Sequence, residues 1–346
     1  MWIPFVRAGQ KSRQSFLEAE LYRLAGDMAG RPVDRLIPCR SGRNSRVYKV
    51  SCGREFFALK SYPSIASDPR DRFGTEIKAL KFYEENGNPY TPRLLAVDIS
   101  RGVALMEWVE GYPVKEPGAF DIDQAVEFIA LTHAAEARGG EVFGLASETC
   151  LCGADLDRHV AARLEKFSAI LQQEPELSKF LECELLPVLE RVRGLVHGNA
   201  FFTPLPRDKR SLIPADLGFH NAIKTPGGKI YFIDFEYFGW DDPVRLAADF
   251  MLHPGMILQE EIRDHFCRGM IEIFQVEDRE FEQRLLQLLP LYAIRWALIL
   301  LNEFLPERWQ ARVFAGETTA WEEIKAMQLE KAREVLGRAV ACLVPS

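Results

Sequence analysis

Between Pro214 and Asp249 the chain carries three polar side chains whose types and spacing could do chemistry together. Asp216 and Asn221 stand in the pattern D-x-x-x-x-N, and Asp234 lies near the end of a short aromatic and β-branched run, Tyr231 to Phe235. Ala222 and Ile223 open a strand, and Thr225-Pro226-Gly227-Gly228 is strong turn chemistry. The hairpin this predicts returns Asp234 to the end at which Asn221 sits. An amide oxygen and a carboxylate at that end suit Mg²⁺, which keeps some waters and completes its shell with phosphate. Asp216, a separate carboxylate, is then placed to accept the proton of an attacking hydroxyl. The chemistry this set would serve is phosphoryl transfer, with Asp216 as base and Asn221 and Asp234 as metal ligands.

Such a set needs a partner element to hold a nucleotide, and the first third of the chain offers one. Val33 to Cys39, Val47 to Val50 and Phe56 to Lys60 read as successive strands, with Leu94 to Asp98 and Val103 to Trp108 as two more. A helical segment, Lys11 to Ala25, precedes them. The polar turn Ser41 to Arg46 can lay backbone N–H groups over phosphates, which brings in Ser41, Asn44 and Ser45. Asp71 to Asn86 carries Phe73, Ile77, Leu80 and Tyr83 on one helical face. A helix there can present Glu76 to Lys60, an ion pair that positions a phosphate-binding lysine.

Composition excludes other classes. With 47% apolar and 27% charged residues the chain is an ordinary globular protein, and 346 residues suit two packed lobes. A formal net charge of -7 gives no electrostatic case for nucleic acid. The apolar run Leu285 to Leu301 contains Gln287, Pro290 and Arg295, which predicts a buried, kinked helix rather than a membrane span. Met1 to Arg7 lacks a long apolar core, so no signal peptide is expected. Seven scattered cysteines fit reduced thiols in a cytoplasmic protein better than a disulfide frame, and Cys150-Leu151-Cys152 is too tight for a usual zinc pair.

The order D-x-x-x-x-N, hairpin, Ile233-Asp234-Phe235-Glu236, then Asp242-Pro243 resembles the catalytic and metal-binding loops of the kinase-like fold. It is most similar to the aminoglycoside phosphotransferase and choline kinase family. The resemblance implies a two-lobed, protein-kinase-like α+β fold. Its N-terminal lobe, residues 1–110, would hold an antiparallel five-stranded sheet and the nucleotide; residues 111–346 would form a mostly helical catalytic and acceptor-binding lobe. It implies ATP or GTP with Mg²⁺ as cofactors and, as partner, a small-molecule hydroxyl acceptor of the amino sugar, aminoglycoside or amino alcohol type. Neither nucleic acid nor membrane is implied.

By the same resemblance Lys60 matches the lysine of the kinase V-A-I-K strand. Glu107 and Val109 match the hinge that holds adenine through backbone groups, with Met106 behind the ring. Asp249 matches an aspartate that anchors the base's loop. His133 reads as a core or loop-bracing histidine. Glu236, Asp241 and Asp242 would give the site an acidic rim suited to a cationic acceptor.

One departure stands out. The family carries His-Gly before its base, and this chain has Pro214-Ala215 there. The family histidine mainly orders the loop, so its loss asks for a different brace. It also raises an alternative, a catalytically weak or inactive nucleotide-binding kinase-like module. His197-Gly198-Asn199 imitates the motif, but Asn199 cannot act as a base. Gly218, where protein kinases usually carry a lysine, and the lack of an A-P-E segment after Asp234 argue against protein substrates.

Overall fold

A computed structural model of the chain describes residues 19–39, 45–63, 70–196, 199–256, 258–314 and 318–341. The chain divides into two compact units, the first ending at Gly111 and the second beginning at Tyr112.

The first unit opens with helix α1 (residues 19–29). Strands β1 (Arg35–Pro38), β2 (Arg46–Cys52) and β3 (Glu55–Ser61) follow, then helix α2 (Arg72–Glu85), β4 (Leu94–Asp98) and β5 (Val103–Glu107). They form one antiparallel sheet in the order β1-β2-β3-β5-β4. The strand period of two decides what each face carries. Val50, Leu59, Val103 and Leu105 pack with Leu24 and Ala25 of α1. Ala104 packs on the other face with Tyr62 and with Ile77 of α2. Lys60, one residue after Leu59, therefore faces α2.

Helix α2 begins where Asp71 accepts a hydrogen bond from the Gly74 N–H at 2.8 Å, an N-cap. It ends at Asn86 and Gly87, the latter at φ 67°, a left-handed position glycine adopts without strain.

The second unit contains β6 (Tyr112–Pro113), α3 (Ala119–Ala135), α4 (Gly153–Phe167), α5 (Pro175–Phe180), α6 (Leu186–Leu195), α7 (Asn199–Phe202) and β7 (Ser211–Ile213). The hairpin β8 (Ala222–Lys224) and β9 (Ile230–Phe232), then β10 (Gly239–Asp241), lead into α8 (Pro243–Leu252). Four further helices follow: α9 (Glu260–Phe274), α10 (Phe281–Leu300), α11 (Pro306–Phe314) and α12 (Trp321–Ala341).

Strands β6, β8 and β9 form one small sheet, and β7 with β10 another. Between α5 and α6 the helix passes through a π turn, Leu181–Leu185. Pro187 lies just beyond it and supplies no N–H to the preceding carbonyls, a common cause of such a shift. Helix α10 packs against α4, α8 and α12 and keeps Pro290 in its interior. The stretch Phe281–Phe304 is long and apolar enough to cross a membrane by length and composition, but 78% of an 18-residue apolar window within it is buried inside the protein.

The hairpin is pinned from both sides. Its turn closes with the Gly228 N–H donating to the Thr225 carbonyl at 2.9 Å, and Gly228 has φ 86°. The amide of Gln124 on α3 donates to the Gly228 carbonyl at 3.0 Å and accepts from the Ile230 N–H at 2.9 Å. Phe128, one turn further along α3, packs its ring 4.8 Å from that of Phe232. These contacts fix the hairpin against the helix and so fix both loops at its open end.

Candidate active site

In the first unit the Lys60 ammonium lies 2.6 Å from the Glu76 carboxylate, with side-chain exposures of 5% and 2%. Tyr62 donates its hydroxyl to the same carboxylate oxygen at 2.9 Å. A buried cation needs such a partner, because burial without one costs several kcal/mol. Ser45 and Met106 are buried, and so is Val109. The Glu107 backbone N–H is spent on the Arg93 carbonyl at 2.9 Å. Ser41 and Asn44 lie outside the described residues.

In the second unit the hairpin register pairs Ala222 with Phe232, and the Ile233 N–H donates to the Asn221 carbonyl at 3.0 Å. The strand thus ends at Phe232, and Asp234 has already left it. Asp216 and Asp234 have φ of 79° and 70°, left-handed values that strain any residue with a Cβ by on the order of 1 kcal/mol or more. The Asn221 side-chain amide donates to the Asp216 carbonyl at 3.1 Å and to its carboxylate at 3.4 Å. That contact turns the Asn221 amide oxygen away from the base. The donor set this leaves, an amide oxygen and the Asp234 carboxylate, is all oxygen and fits a hard cation such as Mg²⁺.

Two histidines complete the surroundings of Asp216. Its Oδ1 lies 3.3 Å from His220 Nε2 and 3.6 Å from His253 Nε2. The two imidazoles stack with centroids 3.6 Å apart and planes 2° from parallel. Burial pushes the His253 imidazole well below the usual histidine range, and His220 beside it pushes the same way.

Residues 35–280 match the model of the APH phosphotransferase enzyme family. The chain belongs to this family. No curated protein matches it in a sequence comparison. Among solved structures it is similar to choline kinase LicA from Streptococcus pneumoniae, at 14% identity and a TM-score of 0.59 over 93% of this chain and 99% of that one. It is also similar to a choline kinase from Cryptosporidium parvum Iowa II, at 12% identity and a TM-score of 0.58 over 90% and 91%. A spectinomycin phosphotransferase in complex with ADP and spectinomycin matches at 11% identity and a TM-score of 0.58, over 92% and 98%. The five-stranded antiparallel sheet followed by a mostly helical remainder is the kinase-like fold.

Two expectations for this APH-family chain need correction. Asp241 and Asp242 form no acidic rim, being 0% and 1% exposed. Asp241 accepts from the Cys150 N–H at 3.0 Å and from Arg245 at 2.7 Å. Asp242 caps α8 through the Val244 N–H at 2.9 Å and pairs with Arg284 at 2.7 Å. Asp249 does not anchor the base's loop. Its partners are Arg245 at 3.2 Å, Arg295 at 3.1 Å and the Trp296 indole at 2.7 Å. A residue of that region which does reach the loop is His253, just past the end of α8. Sequence reasoning missed it, and the one local signal was His253-Pro254-Gly255, a helix stop with a ring-bearing donor at its first position.

His133 lies near the end of α3. Its Nδ1 lies 3.2 Å from Glu136, and that contact raises its pKa against the opposing effect of burial.

Proposed function

We propose that the chain is an ATP- or GTP-dependent phosphotransferase that moves the γ-phosphate to a hydroxyl of a small molecule of the amino sugar, aminoglycoside or amino alcohol type. The observation that carries this reading is the grouping of Asp216 and Asn221, joined by direct hydrogen bonds, with Asp234 just beyond the pinned end of the same hairpin. Asp216 is the base: it takes the proton of the acceptor hydroxyl as that oxygen attacks phosphorus. Asn221 and Asp234 hold Mg²⁺, which when bound neutralises charge on the phosphates.

Lys60, held by Glu76, binds the α- and β-phosphates. The backbone of Glu107 and Val109 and the side chain of Met106 receive the adenine, and Ser45 contributes to the phosphate site. Membership of the family supports the reaction class. The solved relatives bound to ADP and spectinomycin, or to ADP and hygromycin B, support a nucleotide and a hydroxylated acceptor.

A second reading, a nucleotide-binding module with little or no catalysis, is favoured by Pro214-Ala215 in place of His-Gly. Incubation of the protein with MgATP and a panel of small hydroxyl compounds separates the two. The phosphotransferase reading predicts nucleotide consumption with one acceptor class. It also predicts that Asp216→Ala loses transfer by about 100-fold or more while nucleotide binding persists. A nucleotide-induced thermal shift with no turnover on any acceptor would select the second reading. Transfer at the wild-type rate from Asp216→Ala would remove the assigned base.

A further inference from the structure

The loop carrying Asp216 lacks the family's histidine, yet Asp216 sits at a strained φ of 79° and needs something to hold it. The turn that follows α8 does the holding. Pro254 forces the residue before it out of the helical region, so α8 ends at Leu252 and His253 takes φ -59°, ψ 120°. The Met256 N–H closes the turn onto the His253 carbonyl at 3.1 Å.

This turn meets the base's loop at three points. The Phe219 N–H donates to Met256 Sδ at 3.0 Å. The His253 ring lies flat on the His220 ring. His253 Nε2 lies 3.6 Å from Asp216 Oδ1. Trp296 packs its ring edge-on against His253 with centroids 4.7 Å apart, and Trp296 is itself tied to Asp249. Gly218 and Gly255 permit the close approach: a Cβ on Gly218 would lie 2.6 Å from the His220 ring, and one on Gly255 2.8 Å from the His253 ring.

The proton on His253 can be placed. The Gly255 N–H donates to His253 Nδ1 at 3.0 Å, so Nδ1 is an acceptor and the neutral ring carries its hydrogen on Nε2. The side chains of Asp216, His220 and His253 are close enough together to hold a metal ion, but that geometry would need a lone pair on the Nε2 that this bond protonates.

We propose that His253 is a positioning residue for the base: it stacks on His220, whose Nε2 lies 3.3 Å from Asp216 Oδ1, and sets its own Nε2–H 3.6 Å from the same oxygen, so that the end of α8 braces a loop without the family's histidine. Both imidazoles face Oδ1, so Oδ2, 3.4 Å from the Asn221 amide, is the oxygen that would meet the acceptor hydroxyl. The proposal rests on the assignment of Asp216 as base.

Two measurements test it. In protein labelled with ¹⁵N in its histidine rings, long-range ¹H–¹⁵N spectra should show His253 as the Nε2–H tautomer, with its Nε2 resonance displaced by Asp216→Ala. The Nδ1–H tautomer, or a resonance indifferent to that substitution, would overturn the proposal whether or not the protein is active. In turnover assays, His253→Phe keeps the stack on His220 and removes the donor, whereas His253→Gln restores an N–H. The Phe variant should lose about tenfold or more in kcat with KM for nucleotide unchanged, and the Gln variant should stay within about threefold of wild type. A Phe variant as fast as wild type, or a Gln variant as slow as the Phe one, would also overturn it. A wild-type protein that turns over no acceptor would instead count against the phosphotransferase reading, and the spectra would still decide the role of His253.

Discussion

The Lys60–Glu76 pair allows a stability prediction with a stated size. Both side chains are almost wholly buried and meet at 2.6 Å, with Tyr62 donating to the same carboxylate. Glu76→Gln keeps the shape and a hydrogen-bonding oxygen but removes the charge that compensates the ammonium. One-sided loss of a buried ion pair costs about 3–5 kcal/mol, and the retained Tyr62 hydroxyl argues for the lower end. About 3 kcal/mol corresponds to a melting temperature lowered by roughly 4 °C in a chain of 346 residues. Calorimetry or a thermal-shift assay reads it directly. The double variant Lys60→Met with Glu76→Gln removes both charges and should recover more than half of the loss, because neither charge of the pair is left without the other. A shift of less than about 2 °C in Glu76→Gln, or a double variant worse than the sum of the singles, would refute the charge-compensation argument.

Other consequences follow from the second unit. Arg284 serves two buried carboxylates, Asp242 at 2.7 Å and Asp278 at 2.6 Å, so Arg284→Met should cost about 3–5 kcal/mol in denaturant unfolding. Burial alone would raise the Glu148 carboxyl, but the charges of Arg163, Arg295 and Arg245 outweigh it and hold the pKa down at about 2. The stability this contributes is present above the ordinary value near 4.5 and is lost as pH falls toward 2, so Glu148→Gln should flatten that part of an acid melt. The effect should be modest, because 44% of the side chain is exposed. Gly255→Ala should displace the His253 ring, slowing turnover without weakening nucleotide binding, as steady-state kinetics beside a binding titration would show.

How much of this could be read from residues alone depended on the range over which each feature is decided. Helix α2 carries its own boundaries, Asp71 as N-cap and Asn86-Gly87 as stop, and its expected span matches the observed one closely. The five strands of the first sheet alternate strongly enough to be placed, though β2 runs on to Cys52 where a turn was expected at Ser51. Strands β7 and β10 have three residues each, and nothing in Ser211–Ile213 or Gly239–Asp241 marks a strand until the two segments pair.

The same distinction explains the site. That Asn221 and Asp234 flank one end of a hairpin was legible because a hairpin is a local structure. The acidic rim failed because exposure is not local: Asp241 and Asp242 are neutralised by Arg245 one helical turn later and by Arg284 on α10. His253 was invisible for the same reason, since α8 must pack before its end can meet the base's loop.

The central claim is that Asn221 and Asp234 hold a divalent cation beside the base. The most direct test is calorimetric titration of ATP with and without Mg²⁺ into wild-type protein and into Asp234→Asn. The account predicts that Mg²⁺ tightens ATP binding to the wild type and that the variant binds ATP equally with or without the metal. An Asp234→Asn protein that keeps the full Mg²⁺ enhancement would contradict it.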